Sequence, residues 1–302
     1  MEKFSQWRDK GTGVAPFLPH PSSTLGGAGV AGAASALAAA LAVLAKAPLL
    51  ALAGLVAAVA AGLGLPALAA SAVLYAAGFW FWDVQVDGVR RGKKTLAANR
   101  DRAPAAGDVV VTNYLSPLDA AVYAALFPCV FAIPGERGGV GRYSAAGVWA
   151  HALRFAATAE PHTLADIAAD ARRAGRAVVL FVEGTPSNGR ALVHPLWAAL
   201  DTLADGRVLP CALKYAPMDV STPIPPRSAV HYALRVLARW RGWSVRVRLG
   251  APVPAASLPG LPLRGEKAVC DELCRLGRML RTGPELDMAS KRDFVRAWSR
   301  GR

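Results

Sequence analysis

Between Thr24 and Trp82 the chain carries one ionisable side chain that would be charged, Lys46. No other feature of the 302 residues limits the possible folds as tightly. Two uncharged stretches make up this run, 25–45 with 21 residues and 47–82 with 36. About 20 apolar residues cross a bilayer, so the first is long enough once and the second exceeds one crossing. Pro48 and Pro66 interrupt the second stretch, and each would kink or end a helix. A hairpin of two apolar helices, crossing the bilayer or entering it from one side, is therefore expected over 25–82. A soluble alanine-rich bundle is the competing arrangement, because small residues also suit helix contacts within a protein. Against it, no polar face recurs at helical spacing. The run also finishes on Phe79, Trp80, Phe81 and Trp82, an aromatic belt of the kind found at a membrane interface. Residues 1–24 are polar and contain proline, so the apolar run does not start where a secretory signal would place it.

The remainder of the chain is basic, and the net charge of +14 calls for an anionic partner. A membrane surface and phosphorylated small molecules both fit. Nucleic acid is not expected, since no long Lys/Arg block with interleaved aromatics occurs. Lys3, Arg8 and Lys10 precede the apolar run, while Arg90, Arg91, Lys93, Lys94, Arg100 and Arg102 follow it. Basic flanks on both sides put both on the cytoplasmic face, which requires an even number of crossings or a re-entrant hairpin. Cys270 and Cys274 lie one helical turn apart without nearby histidines, so free thiols are expected there rather than zinc. No Asn-X-Ser/Thr sequon is present, in keeping with a cytosol-facing catalytic part.

Beyond Trp82 short apolar runs alternate with helical spacing. Strands are predicted over 108–112, 129–133, 177–182, 208–215 and 244–249, and helices over 118–127, 142–155 and 164–174. Continuous apolar strands separated by helices indicate an α/β fold, a mostly parallel sheet flanked by helices on both faces. The expected organisation is a polar segment 1–24, the membrane-embedded hairpin 25–82, an α/β domain 83–262 and a basic helical tail 263–302. Chemistry in such sheets collects in the turns after the carboxyl ends of strands. Two turns stand out: Asn113-Tyr114-Leu115-Ser116-Pro117-Leu118-Asp119 and Glu183-Gly184-Thr185-Pro186-Ser187-Asn188-Gly189-Arg190. Each alone is also ordinary turn chemistry, with Ser116 or Asp119 able to cap the following helix.

In this order the pair resembles the signature of the glycerolipid (1-acylglycerol-3-phosphate) acyltransferases, Asn-His, four residues and Asp, then Glu-Gly-Thr. The segment Val208-Leu209-Pro210-Cys211-Ala212-Leu213-Lys214-Tyr215 resembles a later proline-containing strand of that family. The opening Met1–Gly13 and the closing Ser290–Val295 resemble those of the fungal lysophosphatidic acid:oleoyl-CoA acyltransferases. Asn113 and Asp119 fall on the family's catalytic positions, and Tyr114 falls where the family has its histidine. Glu183, Gly184 and Thr185 match the substrate-binding block, but Pro186 replaces the usual arginine, with Arg190 four residues on as the cation that could reach back.

That resemblance implies a glycerol-phosphate acyltransferase-like fold and transfer of an acyl chain from acyl-CoA to lysophosphatidic acid, with no cofactor and no metal. It also implies a place in the endoplasmic reticulum membrane, with the lipid droplet as a further site and the catalytic domain facing the cytosol. In the family the histidine takes the proton from the acceptor hydroxyl and the aspartate orients it. A phenol, with a pKa near 10, is a poor base at neutral pH. Asp119 itself, or His194 after the second block, could serve instead. Glu183 would orient a cation or a backbone donor, and the Gly-Thr turn would offer N–H groups to an anion. Lys214, Arg235, Arg239, Arg241, Arg246 and Arg248 could draw in CoA phosphates or lipid headgroups, or form a wetted face. The rivals are a catalytically impaired homologue acting in lipid binding or membrane trafficking, and an acyltransferase for another lysophospholipid. A transporter fits poorly, because the apolar run holds too few crossings and no acidic residue.

Overall fold

The computed structural model describes residues 2–20, 30–89, 99–154, 161–195, 200, 203, 205–226, 228–255 and 265–300. Arg90, Arg91, Lys93 and Lys94 of the basic flank, the start of the apolar run at 25–29, and Phe155 lie outside these residues.

Helix α1 (Val30–Gly62) continues through Pro48, so of the two outcomes expected at this proline, a kink or an end, the end does not occur. Alanine and leucine on both sides are strong helix formers and carry the helix across the one missing hydrogen bond. At 1.5 Å per residue α1 spans about 50 Å, and Ala33–Gly62 is long and apolar enough to cross a membrane. Pro66 opens helix α2 (Pro66–Ala77) rather than interrupting one, in the first turn where no N–H is needed. The two helices pack together as a hairpin, with α2 at 12 residues too short for a crossing. Leu37, Leu44, Leu52, Leu55 and Leu63 are each more than half exposed, which is not how a water-soluble bundle places its leucines.

Gly78 ends α2 with φ +104°, and a Cβ there would lie 2.9 Å from Lys46 Nζ. The lone charge of the apolar run is thus brought to the base of the hairpin. Its ammonium donates to Arg239 O at 2.8 Å and Ala77 O at 3.4 Å.

Phe79–Trp82, expected as an interfacial aromatic belt, is extended rather than helical. It begins strand β1 (Phe79–Val86), paired in parallel with β8 (Trp243–Leu249) at the sheet edge. Aromatic and β-branched residues favour that pleated surface; Phe79 is buried, while Trp80 and Phe81 remain exposed beside the hairpin. The other main strands are β2 (Val109–Thr112), β3 (Cys129–Pro134), β4 (Val140–Tyr143), β5 (Ala177–Phe181) and β7 (Arg207–Ala216). Their order is β1-β8-β7-β2-β5-β3-β4, with β9 (Val253–Pro254) beside β7, while β6 (Ala191–Leu192) pairs in parallel with β10 (Leu280–Arg281) in a separate two-stranded sheet. Pairs β1/β8, β7/β2, β2/β5 and β5/β3 are parallel, whereas β7/β8, β3/β4 and β7/β9 are antiparallel. The helix predicted from 142 starts later, because Val140–Tyr143 returns against β3 through the turn in which Gly135 N–H bonds Gly139 O. Helix α4 (Ala145–Arg154) follows.

Alternate strand residues supply two cores. Val110, Val179, Phe181, Leu213 and Tyr215 face α2, α3 (Asp119–Leu126), α4 and α6 (Ala229–Leu237). Val109, Val111, Val178, Leu180 and Ala212 face α5 (Leu164–Arg173) and α7 (Gly265–Gly277). A third cluster joins the chain's two ends. Phe4, Trp7 and Phe17 surround Phe294 of α8 (Met288–Arg300) at 5.6, 5.3 and 5.7 Å between ring centroids.

Candidate active site

The turn after β2 is held from within. Asn113 extends the sheet by side chain: its Nδ2 donates to Leu213 O at 3.0 Å and its Oδ1 accepts from Leu213 N at 2.9 Å. Asp119, the first residue of α3, folds back on the same turn. Its Oδ2 accepts from Leu115 N at 2.6 Å and Ser116 N at 3.0 Å, and its Oδ1 accepts from the Tyr215 hydroxyl at 2.7 Å. Complete burial pushes the Asp119 carboxyl up to about 7, against the downward pull of those three donors.

Tyr114 is turned inward. Its ring stacks on Phe181 at 4.5 Å and its hydroxyl donates to Val148 O at 3.1 Å. Burial, followed by the nearby Asp119 charge, holds the phenol well above its ordinary value. This side chain is neither bonded to Asp119 among the described residues nor suited to accept a proton at neutral pH.

The loop after β5 is stitched to the first turn. Glu183 Oε2 accepts Tyr114 N at 2.7 Å and its Oε1 accepts Val193 N at 2.8 Å. Ser187 N–H returns a bond to Tyr114 O at 2.8 Å. Burial also pushes Glu183 up to about 7, opposed by these donors, by the Ser187 hydroxyl and by Lys291. Of the N–H groups expected to face an anion at the Gly-Thr turn, that of Gly184 is engaged within the protein. Gly184 N–H bonds Phe181 O and Asn188 N–H bonds Pro16 O, while Arg190 N–H bonds Asn188 Oδ1. Thr185 is buried within the loop. Gly189 has φ +68°, and a Cβ there would meet Met218 Cε at 2.7 Å and Leu115 Cδ2 at 2.8 Å, so the two loops touch through a glycine. Arg190 leaves its guanidinium exposed, in no ion pair among the described residues.

The chain's ends support this loop. Asn188 Nδ2 donates to Ala15 O at 2.7 Å and Leu18 O at 2.9 Å, and His20 Nε2 meets Asn188 O at 2.7 Å. From the other end, the fully buried Lys291 ammonium donates to Pro186 O and lies over Phe17. Burial holds this amine well below its ordinary value, while the charge of Glu183 raises it.

Asn113, Tyr114, Asp119, Glu183, Gly184 and Thr185 are therefore brought together, with Arg190 at the rim. His194 is not part of the group: it is half-buried, its N–H bonds Leu286 O, and the charges it feels are Arg281, Asp287 and Glu285. The histidine beside the first turn is instead His151 of α4, stacked at 6.1 Å on Tyr114 and pushed down to about 4 by burial and then by Lys291. Sequence reading missed His151, Tyr215 as the hydroxyl on Asp119, and Lys291. For Lys291 a signal existed in the closing segment that contains it.

No family model matches the chain, and no solved structure matches it. Over 264 residues it is 26% identical to a Schizosaccharomyces pombe protein named putative lysophosphatidic acid:oleoyl-CoA acyltransferase, covering 83% of this chain and 84% of that one. The chain is thus a distant relative of a protein bearing an acyltransferase name, as the resemblance of its motifs led one to expect.

Proposed function

We propose that the chain is an acyltransferase moving an acyl group from acyl-CoA to lysophosphatidic acid, giving phosphatidic acid in glycerolipid synthesis. The observation that carries this reading is the direct bond between the two post-strand loops, Glu183 Oε2 to Tyr114 N at 2.7 Å, which holds the turn bearing Asp119 against the Glu-Gly-Thr loop. The name of the fission-yeast relative supports it. The exposed leucines of α1 and the exposed Trp80 and Phe81 support a hairpin embedded in the membrane. We place it in the endoplasmic reticulum and on lipid droplets, with the α/β part in the cytosol.

In this reading the acceptor hydroxyl oxygen attacks the thioester carbonyl carbon. The C–S bond breaks, and the proton passes by way of Asp119 to the departing thiolate, giving free CoA. A carboxyl at about 7 is partly ionised at neutral pH, the condition a base needs to take a proton and return it. Asn113 and Glu183 hold the turn, and the Arg190 guanidinium offers a planar pair of donors to the acceptor's phosphate.

The test is acyl transfer from oleoyl-CoA by the protein in lipid, across lysophosphatidic acid, lysophosphatidylcholine and lysophosphatidylethanolamine. Lysophosphatidic acid should be preferred, and Asp119→Ala should cut the rate by a factor of about 10² to 10⁴. Absence of transfer to every acceptor, where a histidine-containing relative works, ends the proposal. Preference for another lysolipid removes the acceptor assignment alone. The inward-turned Tyr114 favours a second reading, a homologue without catalysis that binds lipid or serves membrane trafficking. Tyr114→His separates the two: activity gained from zero supports the second reading, whereas existing activity lost in Asp119→Ala supports the enzyme.

A further inference from the structure

Antiparallel pairing of β7 with β8 sets Ala212 opposite Arg248 and Lys214 opposite Arg246. Residues two apart on a strand share a face, and this is the face covered by α7. Helix α7 ends at Gly277, and Arg278 follows in the left-handed region with φ +50°. The result is a small open concavity lined by Lys214, Arg246, Arg248 and Arg278 with Ala212, Leu276 and Gly277.

Four of the seven lining residues are cationic and none is acidic. Asp83 offsets one of them, bonding Arg246 at 2.9 Å from the sheet edge. Of the acidic residues of α7, Glu272 pairs with Arg275 at 2.7 Å and Asp271 with Arg281 at 3.8 Å. Arg248 Nε is buried and has no hydrogen-bond partner among the described residues. An unused N–H in a desolvated, like-charged setting is costly unless an anion fills it. His20, held below its ordinary value first by its own burial, feels the charges of Arg190, Asp219 and Lys214.

The geometry points to a binding site for the phosphates of a water-borne, multiply phosphorylated ligand: the nucleotide end of a soluble thioester donor. Several guanidinium groups exceed what one phosphomonoester requires and suit a group with more than one phosphate. The concavity opens on the α7 face of the sheet, whereas α2 of the apolar hairpin packs on the other face, so the ligand reaches it from water. Lys214 immediately precedes Tyr215, whose hydroxyl holds Asp119, so the concavity and the candidate reaction centre lie on opposite faces of β7 near its carboxyl end. Identification of the ligand as the donor rests on the acyl-transfer reading; recognition of phosphate does not.

Calorimetric titration of the full-length protein in lipid nanodiscs with adenosine 3′,5′-bisphosphate tests this without any turnover. Arg248→Gln and Arg278→Gln should each weaken binding tenfold or more, while Arg173→Gln, on the distant α5, should leave it unchanged. Arg278 is exposed, so its substitution stays informative if Arg248→Gln fails to fold. Equal affinity in wild type and both variants, or equal weakening by Arg173→Gln, overturns the site. If the two variants lose binding to phosphatidic acid vesicles but not to the bisphosphate, the pocket serves lipid headgroups and the nucleotide assignment fails. Failure of acyl transfer with bisphosphate binding intact counts against the proposed reaction alone.

Discussion

Replacing Asp119 with asparagine separates what its carboxyl does for the fold from what it does for chemistry. The side chain accepts from Leu115 N, Ser116 N and the Tyr215 hydroxyl. An asparagine oxygen can still accept both N–H groups, and its NH₂ can donate to a rotated Tyr215 hydroxyl, so the turn keeps its partners. Alanine would instead strand three buried donors, at about 1–3 kcal/mol each. The charge works in the opposite direction. Burial lifts the carboxyl from 3.8 to about 7, and at about 1.4 kcal/mol per pH unit this disfavours the ionised folded form by roughly 4 kcal/mol above neutrality. A carboxyl raised in the folded state contributes stability that is fully present below about pH 4 and lost as pH rises through about 7. Glu183 acts in the same direction, also reaching about 7. Both carboxyls lower stability as pH rises across this interval, with His151, pushed down to about 4, opposing them, and Asp119→Asn should remove about one proton from the slope. Urea unfolding in detergent micelles, followed by tryptophan fluorescence at several pH values from 5 to 8, measures it. The variant should match or exceed wild type at pH 8 while acyl transfer drops by about 10² to 10⁴. An unchanged pH slope, or the same loss of several kcal/mol at pH 5 and pH 8, would refute the reasoning.

Gly189→Ala forces a Cβ against Met218 and Leu115 at φ +68°, whereas Gly175→Ala shares the same φ with open space around it. Denaturation should show losses of about 2–3 kcal/mol for the first and about 1 for the second, and equal losses would mean the two loops are not in tight contact. Phe294→Ala empties the fully buried centre of the terminal aromatic cluster and should destabilise by about 3–5 kcal/mol; a change under about 1 kcal/mol would show that the ends do not clasp the body. Lys291→Met removes the cation that draws Glu183 down, so the pH midpoint of the remaining stability loss should move upward, and an unmoved midpoint would rule out that coupling.

Local chemistry was legible in the sequence. An uncharged run can be satisfied only in lipid or in a helix packed on helices, so the hairpin followed from composition alone. Continuous apolar strands with helical spacing between them announced the buried, mostly parallel sheet, and the two turns were marked by their order after strands. What depended on distant partners was not legible. Pro48 lies within α1 because flanking alanines and leucines carry the helix, and Phe79–Trp82 became a strand because β8 supplied a free edge. The orientation of Tyr114 was decided by Phe181 and Val148, and the buried lysine beneath the second loop came from the chain's far end.

The sequence by itself determined most of the helices and strands and the apolar run, because those preferences arise within a few residues. Tertiary structure alone decided which polar groups lose water, and so which carboxyls are raised, which tyrosine is withdrawn from chemistry and which scattered arginines become one pocket. Desolvation is a property of the assembled surroundings, and chain segments remote in sequence supply those surroundings only once they pack.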